Sequence, residues 1–396
     1  MKQFRLHQDL DSHNDPMDVP RIVHLTSVHS PFDVRIFVKE CRSLARAGFH
    51  VTIIAPHTRD ERVDGVHIKS VPMKASDGRL TRMTRTTWNV LRRAIDLDAD
   101  LYHFHDPELI PVGLWLRWKG KKVIYDIHED VPKDVVLKEY LPRWTRPPLA
   151  SLIALLEEIA AKRFSALITV SPLIAERFYP HNGRTVLVFN YPELPSGTES
   201  NSVPWQSRHP VIVFPGGILP ERGIREMVYA MACLPHQFPA TLEIASHYFP
   251  QDILEELQRH PGWRRVRLLG SLSRSQVQQR MAQAMAGIVT YLPDGQNLGA
   301  MPHKLFEFMA SGIPVIASDF PLWRKLLEDV GCAVFVNPRH PDAIARAIEF
   351  IITHPADAEA MGERGKNAVC RVFNWNSQAR ELVNLYNGLT GAACVA

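Results

Sequence analysis

An alternation constrains this chain before anything else does. Short runs rich in β-branched residues recur, each followed by a stretch whose apolar residues fall at helical spacing. RIVHLTS (21–27) reads as a first strand, with Phe37, Cys41 and Leu44 at helical spacing after it and Gly48 as a stop. HVTIIAP, GVHIKSV, ADLYHFH, KKVIYDIH, ALITVS and TVLVF continue the series. The stretch NYPELPSGTESNSVPWQSRHP then breaks it with prolines, serines and charges, as a linker does. The pattern restarts with VIVFPGG, ATLEIAS, RVRLLGS, GIVTYLP, IPVIASD and GCAVFV. Strands that alternate with helices pair in parallel, because each crossover needs room for a helix. The chain is therefore expected to be α/β, with two parallel-sheet domains facing a cleft. The expected divisions are a disordered tail over 1–19, a first domain over 20–190, a linker over 191–208, a second domain over 209–372, and a last segment, 373–396.

Composition narrows the function classes. The chain has 396 residues, 45% hydrophobic and 22% charged, enough apolar material for two cores. A net charge of +4 is too slight to imply nucleic acid as a partner. The five cysteines are odd in number and none forms a CxxC pair, so neither a disulfide framework nor a zinc cluster is expected, and a reduced, cytoplasmic setting is. The amino terminus is polar and lacks the apolar core of a secretory signal. The longest apolar stretch, Leu149 to Ile159, is short for a bilayer and carries Glu157 and Glu158. Basic and aromatic residues interleave in GLWLRWKGKK and in GRLTRMTRTTWNVLRRA; both suit an anionic membrane surface, or are ordinary solvated helix faces.

Ligands of open parallel sheets bind beyond the carboxyl ends of the strands, and the chemically loaded residues fall there. Gly216 and Gly217 make a turn after VIVFP that lets backbone approach a ligand, and Arg222 follows just before Gly223, within reach of a diphosphate. The alternative is a structural turn with a solvated arginine. In NLGAMPHKLFEFMASG a helix is expected over about Pro302 to Ser311. Its Glu307 stands among Leu305, Phe306, Phe308 and Met309 and needs a partner, which a ribose diol would supply while Lys304 meets a phosphate. The alternative is an internal Lys304–Glu307 ion pair. HFHDPE and YDIHED place His105, Asp106 and His128 at strand ends, and Asp33 and Arg35 open the first helix, where they suit a polar acceptor or simply cap the helix. His103, His105 and His128 with Asp106 raise a metal, and HxH puts two rings on one strand face. No third facing ligand is evident, and no metal is expected.

Taken together, DVRIFVKECRSLARAGFHVTIIA, HFHDPE, YDIHEDVP, PGGILPERGI and PHKLFEFMASGIPVIASD resemble family 4 of the retaining glycosyltransferases, over roughly Pro20 to Leu389. The resemblance implies the GT-B fold, two Rossmann-like domains with a final helix crossing back to the first. It implies a nucleoside-diphosphate sugar as donor substrate, no cofactor, and a glycan or lipid-linked acceptor of the bacterial cell-envelope type, met at the inner face of the membrane. Glu307 then matches a ribose ligand, Arg222 a diphosphate contact, and His128 a histidine that approaches the transferred sugar. Two positions depart from the family pattern. Gly299 stands where a glutamate is usual, and Gly217 where a basic residue is common. Lys304 is expected to replace the missing positive charge, with backbone amides near Ala300 and Met301 holding the sugar. A non-catalytic nucleotide-sugar-binding scaffold and a UDP-sugar 2-epimerase are the competing readings.

Overall fold

The computed structural model describes residues 19–72, 82–138, 141–194, 203–246, 248–294 and 297–391. The expected tail thus falls almost wholly outside the described residues, as do part of the linker and residues 78–81 of the basic stretch. The first sheet comprises β1 (Arg21–Leu25), β2 (His50–Pro56), β3 (Glu61–Val63), β4 (Val66–Val71), β5 (Leu101–Phe104), β6 (Lys122–Ile127), β7 (Ala166–Thr169) and β8 (Thr185–Leu187). Their order is β3-β4-β2-β1-β5-β6-β7-β8. Every pairing is parallel except β3 with β4. That hairpin was not foreseen. Its turn is Asp64-Gly65, with φ of 50° and 83°, the left-handed pair a two-residue hairpin requires.

The second sheet comprises β9 (His209–Pro215), β10 (Thr241–Ala245), β11 (Val266–Gly270), β12 (Ala284–Val289), β13 (Val315–Ser318) and β14 (Ala333–Val336). It is wholly parallel, in the order β11-β10-β9-β12-β13-β14. Tyr191 and Trp205, flanking the polar connection, bury in this second core. Five helices matter for the site. They are α1 (Val34–Cys41 in wide π-type turns, running into Arg42–Arg46), α2 (Arg146–Ala161), α3 (Ile224–Cys233), α4 (His303–Ala310) and α5 (Trp375–Thr390). The last packs on the first sheet: Trp375, Leu382, Tyr386 and Leu389 join Ile22, Ile36 and Leu101 in one apolar cluster.

Strand alternation decides what lies beneath the cleft. Val23 and Leu25 of β1 face one apolar cluster, and Ile22 faces the other, under α1 and α5. His24 shares the Ile22 side by period 2, and its register partner on β5 is His103. Asp126, two residues after Ile124 on β6, falls on that same side. The carboxyl end of this face is therefore polar although it is fully buried.

Candidate active site

The second domain's wall is built from two strand-to-helix connections. After β9 the chain turns at Gly216, whose φ of 152° disfavours any side chain. A Cβ there would also stand 2.6 Å from Lys304 Cε and 2.9 Å from its Nζ. The Lys304 ammonium thus rests directly over the glycine turn. Arg222 joins it from the other side, donating from Nη1 to the Gly217 carbonyl at 3.3 Å, with its guanidinium 5.7 Å from the centre of the Tyr291 ring. Gly223 closes this corner. Its φ is 73°, and a Cβ would meet the Thr290 carbonyl at 2.0 Å, so only glycine brings α3 so near β12.

The second connection carries α4. Leu305, Phe306, Phe308 and Met309 are buried, each contributing about 1.5–3 kcal/mol by burial, and this leaves Glu307 on the open side. Pro302 sits one position before the first helical residue, and no side chain caps the helix start. The expected alternative, a Lys304–Glu307 ion pair, is not what forms. Among the described residues Glu307 has His303 at 3.8 Å, an imidazole that desolvation and then the Lys304 charge depress to about 3 and so keep neutral, while Lys304 turns to Gly216. Burial pushes the Glu307 carboxyl above its usual range, against the pull of Lys304, of Lys39 on α1 and of Arg274. Lys39 thereby brings first-domain charge to Glu307 across the cleft. Burial depresses Lys304 to about 8, and the neighbouring Arg222 charge acts the same way.

The loop before α4 differs from expectation in one respect. The Ala300 amide already donates to the Asn297 carbonyl at 3.2 Å, and the Ala300 carbonyl accepts from Trp323 Nε1 at 2.8 Å. Ala300 is therefore part of the loop's own scaffold and offers no amide to a sugar. Gly299 meets the first domain. Its carbonyl accepts from Ser171 Oγ at 2.9 Å, and a Cβ there would stand 2.6 Å from Leu173 Cδ1. Leu173 occupies the space into which a side chain at 299 would project.

The first domain's wall is organised by Asp126. Its carboxylate accepts from Arg35 Nε and Nη2, both at 3.1 Å, and from His128 Nε2 at 2.8 Å, and His105 Nδ1 faces it at 3.3 Å. Arg35 and His128 hold its carboxyl well below the carboxylate range despite full burial. His128 is partly exposed, and its bond to Asp126 fixes the ring so that Nδ1 is the free nitrogen.

Three of the residues assigned to acceptor contact lie deeper than expected. Arg35, His105 and Asp106 are 3–5% exposed and held by internal partners. Arg35 also donates to the Val188 carbonyl, His105 bonds His24, and Asp106 accepts from the Thr26 hydroxyl at 2.8 Å and the Ser27 amide at 2.6 Å. Asp33 caps α1, accepting from the amides of Arg35 and Ile36. These four form the floor. The groups they support are His128 and a histidine not foreseen, His29, whose ring lies 5.9 Å from that of His128. His29 approaches Asp106 at 3.4 Å and Asp33 at 3.7 Å, and the Asp33 contact raises its pKa. Its spacing to Asp33, i to i+4, was the signal available. The single-face reading of HxH holds, and the third facing ligand that was missing is present: His24 and Glu40 converge on His103 and His105.

Two facing parallel sheets, with a cationic glycine turn on one wall and a carboxylate-held histidine on the other, define the GT-B class of glycosyltransferase. Comparison with known proteins specifies the family. Residues 35–190 match the model of the glycosyl transferase 4-like domain and residues 196–368 that of glycosyl transferases group 1. Among relatives, a phosphatidyl-myo-inositol mannosyltransferase of Mycobacterium leprae is 24% identical, over 90% of this chain and 93% of its own. Sucrose-phosphate synthase of Thermosynechococcus elongatus superposes with a TM-score of 0.76 at 20% identity, covering 94% of this chain and all of that one. Anabaena HepE, solved in complex with UDP-glucose, superposes with a TM-score of 0.68 at 14% identity, covering 93% of this chain and all of that one. The chain belongs to glycosyltransferase family 4.

Proposed function

We propose that this enzyme transfers a sugar, with retention, from a nucleoside-diphosphate sugar to a lipid-linked glycan of the cell envelope. One observation carries the reading. The Lys304 ammonium lies over the Gly216–Gly217 turn beside Arg222, with Glu307 one turn along the same helix. A sugar nucleotide needs this set: cations for a diphosphate, glycine backbone that permits close approach, and a carboxylate for a ribose diol. Lys304 supplies the charge that Gly217 lacks.

In the mechanism this supports, the diphosphate leaves while the acceptor hydroxyl approaches on the same face of the sugar. Negative charge grows on the leaving phosphate, where Arg222, Lys304 and the uncapped start of α4 stabilise it. The acceptor hydroxyl passes its proton to the departing phosphate oxygen as the new glycosidic bond forms, and His128, oriented by Asp126, contacts the sugar through its free face and assists that proton transfer. Contact between the walls at Ser171, Leu173 and Gly299 excludes water and favours transfer over hydrolysis. No metal or cofactor is assigned to this step.

An exposed stripe supports membrane presentation of the acceptor. Leu152, Leu155, Leu156 and Ile159 repeat at i, i+3, i+4 and i+7 on α2 and are each about half exposed. Trp144, just before α2, is exposed beside Arg143 and Arg146, and Trp118, at the end of the helix Ile110–Trp118, is exposed beside Arg117 and Lys119. No helix among the described residues is long and apolar enough to cross a bilayer. The stripe suits binding at the cytoplasmic membrane face, with apolar side chains inserted and basic ones at anionic headgroups.

A thermal-shift panel of UDP-, GDP-, ADP- and dTDP-sugars on the full chain tests the donor reading. Sugars of one nucleotide are expected to raise Tm; no shift from any donor would overturn it. Nucleotide release only when an acceptor is supplied separates transfer from epimerisation and from mere binding.

A further inference from the structure

Beneath His128, away from the donor turn, four side chains converge for which sugar transfer has no evident use. His24 comes from β1, Glu40 from α1, His103 from β5 and His105 from the residue after Phe104 and its strand. One ligand atom from each lies within 4.8 Å of the others. The first three are fully buried and His105 is nearly so.

The spacing is informative. Glu40 Oε2 stands 4.0 Å from His24 Nδ1, 3.9 Å from His103 Nδ1 and 3.9 Å from His105 Nε2, while His24 Nδ1 and His105 Nε2 are 3.0 Å apart. The three separations from Glu40 are too long for hydrogen bonds. They are close to the edges of a four-donor cage: bonds of about 2.0–2.2 Å to a tetrahedral ion place neighbouring donors roughly 3.3–3.6 Å apart. Neither Glu40 oxygen has a hydrogen-bond partner. Arg35 Nε lies 3.1 Å from Oε1, the oxygen other than the one the imidazoles face. Arg35 meets Oε1 alone, and burial favours the neutral acid, so Oε2, aimed at three imidazoles with no donor, is left for a cation among them to engage.

Outer groups stand beside two of the three histidines, as ligating histidines need, whereas His103 Nε2 has no hydrogen-bond partner. His105 Nδ1 faces Asp126 at 3.3 Å, and His24 Nε2 lies 3.2 Å from the Tyr386 hydroxyl. Tyr386 also stands 2.6 Å from His103 Nδ1. For His103 Nδ1 to ligate an ion, Tyr386 would have to release it and keep its contact with His24 Nε2.

We propose that His24, Glu40, His103 and His105 form a buried site for one divalent transition-metal ion of the zinc type. Three imidazoles with one carboxylate suit zinc, cobalt, manganese or iron(II) better than magnesium or calcium, which prefer oxygen. The ion would join β1, β5 and α1, and through Tyr386 would fasten α5 to the first domain. Its role is structural, and it is assigned no step in transfer.

The test is metal content rather than activity, so its outcome is independent of the donor reading. The full chain, carrying a tag free of histidine, is produced in separate media supplemented with zinc, cobalt, manganese or iron. It is desalted through a chelator and assayed by inductively coupled plasma mass spectrometry. About one equivalent of one metal per chain is expected, together with tetrahedral d–d absorption in the cobalt preparation. Glu40→Gln and His103→Gln are expected to lower retained metal at least ~10-fold, whereas His236→Gln, at an exposed histidine, leaves it unchanged. Wild-type protein that is metal-free from every medium, and takes up no zinc on refolding, would overturn the proposal. So would unchanged metal in folded Glu40→Gln and His103→Gln proteins. If those variants fail to fold, the wild-type stoichiometry decides.

Discussion

The two walls of the cleft solve opposite problems. The first-domain wall is largely satisfied at the cleft: Asp126, Arg35 and Asp106 have internal partners, the unpartnered Glu40 lies beneath them, and His29 and His128 reach outward. The second-domain wall is incomplete: Lys304 is buried and depressed to about 8, Glu307 is pushed up, and the two do not pair. A saturated network holds a geometry whether or not a ligand is present, whereas an unsaturated cluster gains its partners only when a ligand arrives. Substitutions in the first wall should therefore act mainly on stability, and substitutions in the second mainly on donor binding and turnover.

The sharpest test of that contrast is Asp126→Ala. It leaves Arg35 buried without its bidentate partner and frees His128, so a loss of roughly 3–5 kcal/mol is expected, read by chemical denaturation. A Tm within one or two degrees of wild type would show that the first wall is not the rigid one. Next comes Lys304→Ala, expected to lower kcat/KM about 10²–10³-fold with little change in Tm. Arg274→Ala, which removes an exposed cation beside Glu193, should cost under ~3-fold, the scale of a surface pair. Equal losses from the two would remove Lys304 from the donor site.

Gly299→Glu is expected to be smaller in effect, roughly 1–3 kcal/mol from overpacking against Leu173. Leu173→Ala should relieve it; a double variant no better than Gly299→Glu alone would mean that Leu173 is not what fills the space. The mildest effect is on pH. Lys304 binds a diphosphate as the ammonium, and in the free enzyme that form is lost as pH rises through about 8. A bound diphosphate raises this pKa, so binding takes up a proton above pH 8 and donor affinity should fall by up to about tenfold per pH unit. Lys39, also depressed to about 8, adds to the slope. Lys304→Met should flatten the profile, and an unchanged slope in isothermal titration would assign it to Lys39 instead.

Much of this could be read from local pattern. Thirteen runs read as strands are strands, because a buried parallel strand must be short, β-branched and nearly continuous in apolar residues. The one missed, β3, is only Glu-Arg-Val, and its apolar pattern is absent because it is an edge; the Asp64-Gly65 turn was the usable sign. At the site, Lys304 and Glu307 were legible as charges set among apolar neighbours, but their orientation was not. Helical spacing puts them on one face, and only the Gly216 turn from a distant strand draws Lys304 away from Glu307. Asp126 was missed because an acid inside an apolar run resembles a strand end until its partner is known, and that partner, Arg35, lies 91 positions away.

Taken alone, the order of amino acids determined the alternation, hence two parallel sheets, hence which residues stand at strand ends. Those properties depend on neighbours within a few positions, where periodicity and backbone sterics act. Tertiary structure alone decided which strand-end groups became floor and which became surface. It also set Leu173 against Gly299 and gathered His24, Glu40, His103 and His105 around one point. Such outcomes depend on which helices cover which face, and burial and charge pairing settle that only once distant segments meet.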